Sequence, residues 1–330
     1  MTLSVVGKTD DGTDIAQIKL ARDGLSVSLL SFGATLQDLR LDTHPFSLVL
    51  GYPNAADYLQ NPNYFGSTVG RFANRLCQGQ FHIDGVAYQA DINTPTGHHL
   101  HGGAKGTSHL NWTVTEHSEH HAVFEIILPD GHMGFPGNLR VQTQYNLLAN
   151  RSLRIQISAQ TDAPTLCSFA HHSYFNLTGK ADISDHLLQI SSQNYVSIDQ
   201  EGIPLGAVQD VANTCLDFTI AKFLAPESII DHNFCLSGAR QVIRPVASLC
   251  AKDISMRIAT TEPGLQVYTS EHIRSNGPIG HNGCYEPRAG IAMEPQIWPD
   301  APNHKTFPSA LLEPDQNYLQ VSIFSFDYPV

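Results

Sequence analysis

Alternation of apolar and polar residues with a period of two constrains this chain more than any other feature of its sequence. Leu139, Val141, Thr143, Tyr145 and Leu147 fall on one side of an extended segment, with Arg140, Gln142, Gln144 and Asn146 on the other. After Ala149–Asn150–Arg151 the pattern resumes, with Leu153, Ile155, Ile157 and Ala159 set against Arg154, Gln156 and Ser158. Successive side chains of a strand point to opposite faces, so two such runs around a short polar break predict a hairpin. Similar stretches occur at Leu25–Leu30, Ala122–Leu128, Ser255–Thr260, Leu265–Ser270 and Leu319–Phe326. Gly and Pro interrupt the chain too often for a long amphipathic helix. Short helical turns are expected at Ala55–Gln60 and Phe218–Leu224.

Many short strands separated by turns predict an all-β protein of antiparallel sheets packed face to face. Neither a linker, a low-complexity stretch nor an internal repeat divides the 330 residues. The expectation is one large β-sandwich domain over residues 1–330. At 42% hydrophobic and 15% charged, the chain can bury a substantial core. The polar faces of several strands, Gln142, Gln144 and Gln156 among them, suit either solvent or the wall of a cleft.

Charge narrows the partners. Lys and Arg number 19 against 31 Asp and Glu, a net charge of −12, and no basic run is present. A phosphate-neutralising surface is therefore not expected, and with it no nucleic-acid partner. The acidic balance suits a neutral small ligand better than a phosphorylated one. Residues 1–12 carry two aspartates without a basic or apolar leader pattern, and no apolar stretch is long enough to span a bilayer. The six cysteines include no CxxC pair and are read as buried free thiols. A cytoplasmic protein with no membrane contact is expected.

The 17 histidines are clustered: His98, His99 and His101 precede Gly102–Gly103, and His171–His172 precede Ser173–Tyr174–Phe175–Asn176. Paired histidines can ligate a metal, but no further ligands stand at a recognisable spacing, so no metal is expected. Glu294 lies in the apolar run Ile291–Met293 ahead of Pro295, near Trp298. A carboxylate there is partly desolvated, which makes it a stronger base, although an Arg-paired edge residue would look the same. Asp231 follows Ile229–Ile230, as a cap or as a functional group. Arg71 and Arg75 bracket Phe72–Ala73–Asn74, and spacing does not choose between them. Tyr174, Phe175, Trp298 and Phe135 are candidate platforms for the apolar face of a sugar.

Taken in order, these segments resemble the aldose 1-epimerase (galactose mutarotase) family. The shared stretches are Ser31–Phe32–Gly33–Ala34–Thr35–Leu36, Val49–Leu50–Gly51–Tyr52, Gly70–Arg71–Phe72–Ala73–Asn74–Arg75 and Leu100–His101–Gly102–Gly103. Gly131 to Leu139, His172 to Leu177, Asp231 to Phe234, Pro263 to Tyr268 and Glu294 to Asn303 complete the set. The resemblance implies a large antiparallel β-sandwich with an open sugar-binding cleft and no cofactor. It implies Glu294 as general base and His172 as general acid. Asn74, Arg75, His101, Tyr174, Asp231 and Gln266 would bind the sugar. Two positions depart from the family pattern: His171 stands where Asn is usual, and His132–Met133 where acidic residues are common.

The implied activity is interconversion of the α and β anomers of free aldohexoses by ring opening and closure. A base removes the O1 proton while an acid protonates the ring oxygen. The acid must be protonated first, and the anionic groups Asp231 and Glu294 are expected to hold the His172 pKa up. A hexose-6-phosphate 1-epimerase of the same fold would need extra cations at the cleft. A glycoside hydrolase would use Asp231 and Glu294 and leave His172 idle. A non-catalytic sugar-binding protein would usually lack the acid or the base.

Overall fold

A computed structural model describes residues 2–276 and 284–328. Among them nearly all regular structure is strand, and the only helices are short 3-10 turns. A nine-stranded antiparallel sheet runs in the order 113–117, 121–128, 139–148, 152–161, 318–327, 255–260, 244–250, 187–190, 222–223. Its centre is the expected hairpin: Leu139–Leu148 pairs with Ser152–Thr161 in unbroken register from Leu139↔Thr161 to Leu148↔Ser152. Facing it is a six-stranded sheet in the order 174–175, 291–296, 264–268, 231–235, 194–198, 204–210. A four-stranded meander, 2–8, 14–22, 25–30 and 35–41, closes one side.

Period two explains why the sheets stack. Tyr145, Ile155, Ile157 and Phe324 of the larger sheet share one core with Phe234, Leu265, Val267, Ile291 and Met293 of the smaller. Leu20, Val27, Leu36 and Leu39 of the meander join them. The other face of the six-stranded sheet carries the alternate residues, and these are largely polar. Ile291–Gln296 is buried along its whole length, because loops cover that second face too. Its apolar stretch is therefore a strand covered on both sides, not an edge.

The helical turn at Ala55–Gln60 is present as a 3-10 turn. The one expected at Phe218–Leu224 is not: this stretch is irregular and ends in the strand Lys222–Phe223, paired to Leu187–Leu188. Phe218 and Leu224 reach the core from an irregular, largely extended stretch without a helix. All six cysteines are free as expected, but only Cys167 is buried, and Cys215 and Cys284 are exposed. No helix of the described residues is long and apolar enough to cross a membrane.

Candidate active site

Register assembles half of the site. Gln266 lies directly opposite Glu294, Asn233 opposite Gln266, and Asp231 opposite Tyr268, which in turn faces Ala292. Tyr174 also pairs with Ala292. Residues opposite or two apart share a face, so Tyr174, Glu294, Gln266 and Asp231, from four adjacent strands, project from one surface. The Gln266 side-chain amide donates to Asp231 Oδ1 at 2.6 Å. His172 sits at the entrance to the Tyr174 strand, with its backbone N–H bonded to Ser67 O and its carbonyl accepting from Gly66 N, both at 2.9 Å.

The other half comes from loops. Arg75–Leu76 pairs with His99–Leu100 as a two-residue ladder. Asn74 and His101 both adopt positive φ, 62° and 52°, and hold each other there. The Asn74 N–H donates to His101 Nδ1 at 3.2 Å, and the His101 N–H donates to Asn74 O at 3.1 Å. Gly102, at φ 92°, must be glycine, since a Cβ would lie 1.8 Å from the Gly70 carbonyl oxygen. His98 and His99 are frame rather than site. His99 Nδ1–H donates to Asp91 O at 2.7 Å while its Nε2 accepts from Gly102 N at 3.2 Å. His98 accepts from Gln78 N and donates to Glu201 at 2.9 Å.

The two halves enclose a cavity of about 200 Å³ lined by Asn74, Arg75, His101, His172, Tyr174, Asp231, Gln266 and Glu294 together with Tyr64, Tyr268 and His272. That is below the usual range for drug-sized ligands and suits a single small ring rich in hydroxyls. A larger groove of about 720 Å³, between Phe46, Leu187 and Phe223, exposes mostly apolar surface, with Lys180, Asp185, Lys252 and Asp253 also lining it. In the cleft Glu294 Oε1 stands 3.5 Å from His172 Nε2, with both side chains almost wholly buried. Among the described residues Glu294 Oε2 has no hydrogen-bond partner, and His172 Nδ1 has none on another residue. Arg75 donates to Asp231 Oδ2 at 3.4 Å and is the only Lys or Arg lining the cavity among the described residues.

Burial dominates the electrostatics. It pushes the Glu294 carboxyl well above the usual carboxylate range; the Asp231 charge adds to this and Arg75 opposes it. Burial pulls the His172 ring down to about 4. The expectation that anionic neighbours hold the His172 pKa up is thus overturned. The cost of charging a fully enclosed imidazole exceeds the opposing pull of the residue's own backbone, and the neighbouring Glu294 is itself driven towards neutrality. His101 is also held well below its ordinary value, by burial first and then by His172.

His101, His172 and Glu294 offer ligand atoms within 4.8 Å of one another, a set that could in principle hold a metal ion. The donor chemistry is a poor fit. His101 Nδ1 accepts from Asn74 N–H, so the neutral ring carries its proton on Nε2 and keeps no free lone pair. A metal ion would have to break that bond.

All eight residues anticipated for the site line the same cavity. The structure also separates the two arginines. Arg75 enters the cleft, whereas Arg71 is buried and donates to the carbonyls of Leu128, Pro129, Pro136 and Gly137. Arg71 thereby anchors the Gly131–Leu139 segment to the core, and desolvation lowers its pKa to about 10. Of the aromatic candidates only Tyr174 lines the cleft; Phe175, Phe135 and Trp298 belong to apolar clusters. His171 points away, its Nε2–H donating to Tyr145 Oη at 2.9 Å and its Nδ1 accepting from Ser173 Oγ at 3.2 Å. Tyr64, Tyr268 and His272 were not anticipated. Tyr268 could have been found, since it lies two residues from Gln266 on the same face of a strand; Tyr64 sits in an irregular loop with no period to place it.

Fold and cleft together define a β-sandwich protein with a small, polar-lined pocket and a buried carboxyl–imidazole pair. The family model for aldose 1-epimerase matches residues 16–325. The galactose mutarotase of Homo sapiens is 34% identical, covering 99% of this chain and 98% of its own length. The aldose 1-epimerase of Haemophilus influenzae is 31% identical over 89% of this chain and 90% of its own. Among solved structures, a GalM/aldose epimerase homologue from C. elegans superimposes with a TM-score of 0.89 at 28% identity, covering 95% of this chain and 99% of its own. The galactose 1-epimerase of Lactobacillus acidophilus gives 0.88 at 28% identity, covering 100% and 99%. This chain belongs to the aldose 1-epimerase family.

Proposed function

We propose that this protein interconverts the α and β anomers of a free aldohexose such as glucose or galactose, with Glu294 as general base and His172 as general acid. The observation that carries this reading is the buried Glu294–His172 pair, 3.5 Å apart in a cavity the size of one sugar ring. Glu294 removes the O1 proton, the C1–O5 electron pair goes to O5 with a proton from His172, and C1=O1 forms. Rotation about C1–C2 presents the other aldehyde face. Closure then runs the same transfers in reverse, with no net change in the enzyme. Asn74, Arg75, His101, Tyr174, Asp231 and Gln266 hold the ring and its hydroxyls while leaving the C1 end free to turn.

The protonation preferences match the ring-opened state. While the sugar is cyclic, the pair must be carboxylate and imidazolium; once the ring is open, it is carboxylic acid and neutral imidazole. Burial favours neutral forms at both positions. The site therefore stabilises the opened sugar relative to the cyclic one, which lowers the barrier to opening instead of tightening ground-state binding. Below about pH 4 His172 gains a second proton while Glu294 is already protonated, and no base remains. Turnover is expected to fall as pH drops through about 4, with KM changing less.

A single cleft cation, already facing Asp231, supports a neutral sugar over a phosphorylated one. Six cysteines without a disulfide support a reducing, cytoplasmic setting. The test follows the optical rotation of freshly dissolved α-D-glucose and α-D-galactose, with glucose 6-phosphate and an aryl glycoside in parallel. Glu294→Gln should lower turnover by about 100-fold or more, the usual scale for a general base, with little change in sugar binding. Near-normal mutarotation by that variant would reject the assignment.

A further inference from the structure

The His172 ring lacks the usual means of orientation. Catalytic imidazoles are commonly fixed by a carboxylate or carbonyl on the nitrogen away from the chemistry. Among the described residues Nδ1 has no partner on another residue; Nε2 faces Glu294 at 3.5 Å, and the residue's own backbone is a further polar contact of the ring. What surrounds the ring is aromatic. Tyr174 lies 4.9 Å from it, centroid to centroid, at 33°, and Tyr64 lies 5.8 Å away at 26°. Tyr64 also leans on His101 at 4.7 Å, and His101 meets His172 edge-on at 5.0 Å.

The loop that carries Tyr64 is tied to the same backbone as His172. Tyr64 has a φ of 56° and accepts from Ser67 N at 3.0 Å. The Asn61 side chain accepts from Phe65 N at 2.9 Å and donates to Ser67 Oγ at 3.1 Å. Gly66 and Ser67 then bond to His172 on both its backbone groups. Ring and imidazole are thus held in one frame. Among the described residues the Tyr64 hydroxyl makes no hydrogen bond, so what the side chain contributes to that frame is a planar surface.

We propose that Tyr64 is a positioning residue for the general acid, its ring acting with Tyr174 to hold the His172 imidazole in line with Glu294 and the ring oxygen of the sugar. The proposal rests on the acid–base reading above. Misplacing a reacting group by about 1 Å can cost on the order of 100-fold in rate, and stacked rings restrict the rotation that a missing Nδ1 partner leaves open. A positioning role touches turnover, whereas a sugar-stacking role touches affinity.

The experiment compares Tyr64→Phe and Tyr64→Leu by polarimetry, with calorimetric binding of 1,5-anhydro-D-glucitol, which lacks O1 and cannot open. Tyr64→Phe should keep kcat within about 3-fold of the parent, since the ring remains. Tyr64→Leu should lose about 10-fold or more in kcat, with KM and the affinity for the analogue within about 3-fold. Tyr64→Met, which fills similar space without a ring, repeats the test should the leucine protein not fold by circular dichroism. The proposal is overturned if the ringless variants keep kcat within 2-fold, if analogue affinity falls in step with kcat, or if the phenylalanine variant is as impaired as they are. Glu294→Gln runs alongside: an inactive Gln variant beside a fully active Leu variant rejects the clamp alone. An active Gln variant rejects the underlying chemistry.

Discussion

Two residues of one type, four positions apart, show how little a residue's identity says about its role. Arg71 and Arg75 share the Gly70–Arg75 segment, yet one is enclosed among backbone carbonyls and the other faces Asp231 in the cleft. Arg75 is also shaped from behind. Gly202 has a φ of +80°, and a Cβ there would lie 2.8 Å from the Arg75 guanidinium carbon. Gly202→Ala is therefore expected to fold, at a backbone cost of about 1 kcal/mol, because a flexible side chain can yield. On the proposed sugar-binding role of Arg75, the displaced arginine then loses charge-assisted bonds to the sugar. KM should rise by about 10-fold, equivalent to about 1.4 kcal/mol, with kcat changed less. Steady-state mutarotation kinetics check this, and an unchanged KM would show that Arg75 does not hold the sugar.

At the scale of elements, the alternating runs were legible and their ends nearly so. Ser255–Thr260 and Leu25–Leu30 are strands with the expected bounds, and Leu319–Phe326 gains only a residue at each end. The period misled where an irregular stretch buries Phe218 and Leu224 without helical geometry. What binds elements to one another was not legible. Tyr145, on the central hairpin, donates to Ala34 O at 2.5 Å and accepts from His171, so one hydroxyl joins the large sheet, the loop ahead of Thr35 and the strand preceding the candidate acid. His171, which stands where the family usually has Asn, binds Tyr145. Tyr145→Phe leaves the buried His171 Nε2–H unpaired, while Ala34 O keeps the Thr68 hydroxyl at 3.3 Å, at a cost of about 1–3 kcal/mol. A lower urea midpoint is expected with kcat within about 3-fold. A large loss of turnover at unchanged stability would place His171 in the chemistry.

For the whole molecule, the histidine count has a thermodynamic consequence. Burial holds His99, His172 and His186 down to about 4 and His171 to about 3, with His101 also well below its ordinary value. In the unfolded chain these rings take up protons below about pH 6.5, so lowering the pH favours unfolding until the folded values are reached. Each ring can contribute up to about 1.4 kcal/mol per pH unit in that window. Glu294, Glu262 and Asp300 act in the opposite sense, because burial raises their carboxyls, but five imidazoles outnumber three carboxyls. The urea midpoint should fall steadily from pH 7 to pH 4.5, and a flat profile would overturn the burial of neutral rings.

The sequence by itself determined the class of fold, because period two is a local property that each strand carries in its own residues. Through an ordered set of motifs that resembles a known family, it also pointed to eight residues, and these line one cavity. Tertiary structure decided what depends on distance between segments far apart in the chain. It enclosed Arg71 among backbone carbonyls, and it brought Tyr64 against His172. It also reversed the expected direction of the His172 pKa. The reason is the same in each case: burial is set by which surfaces close over a residue, and no residue carries that information in its neighbours.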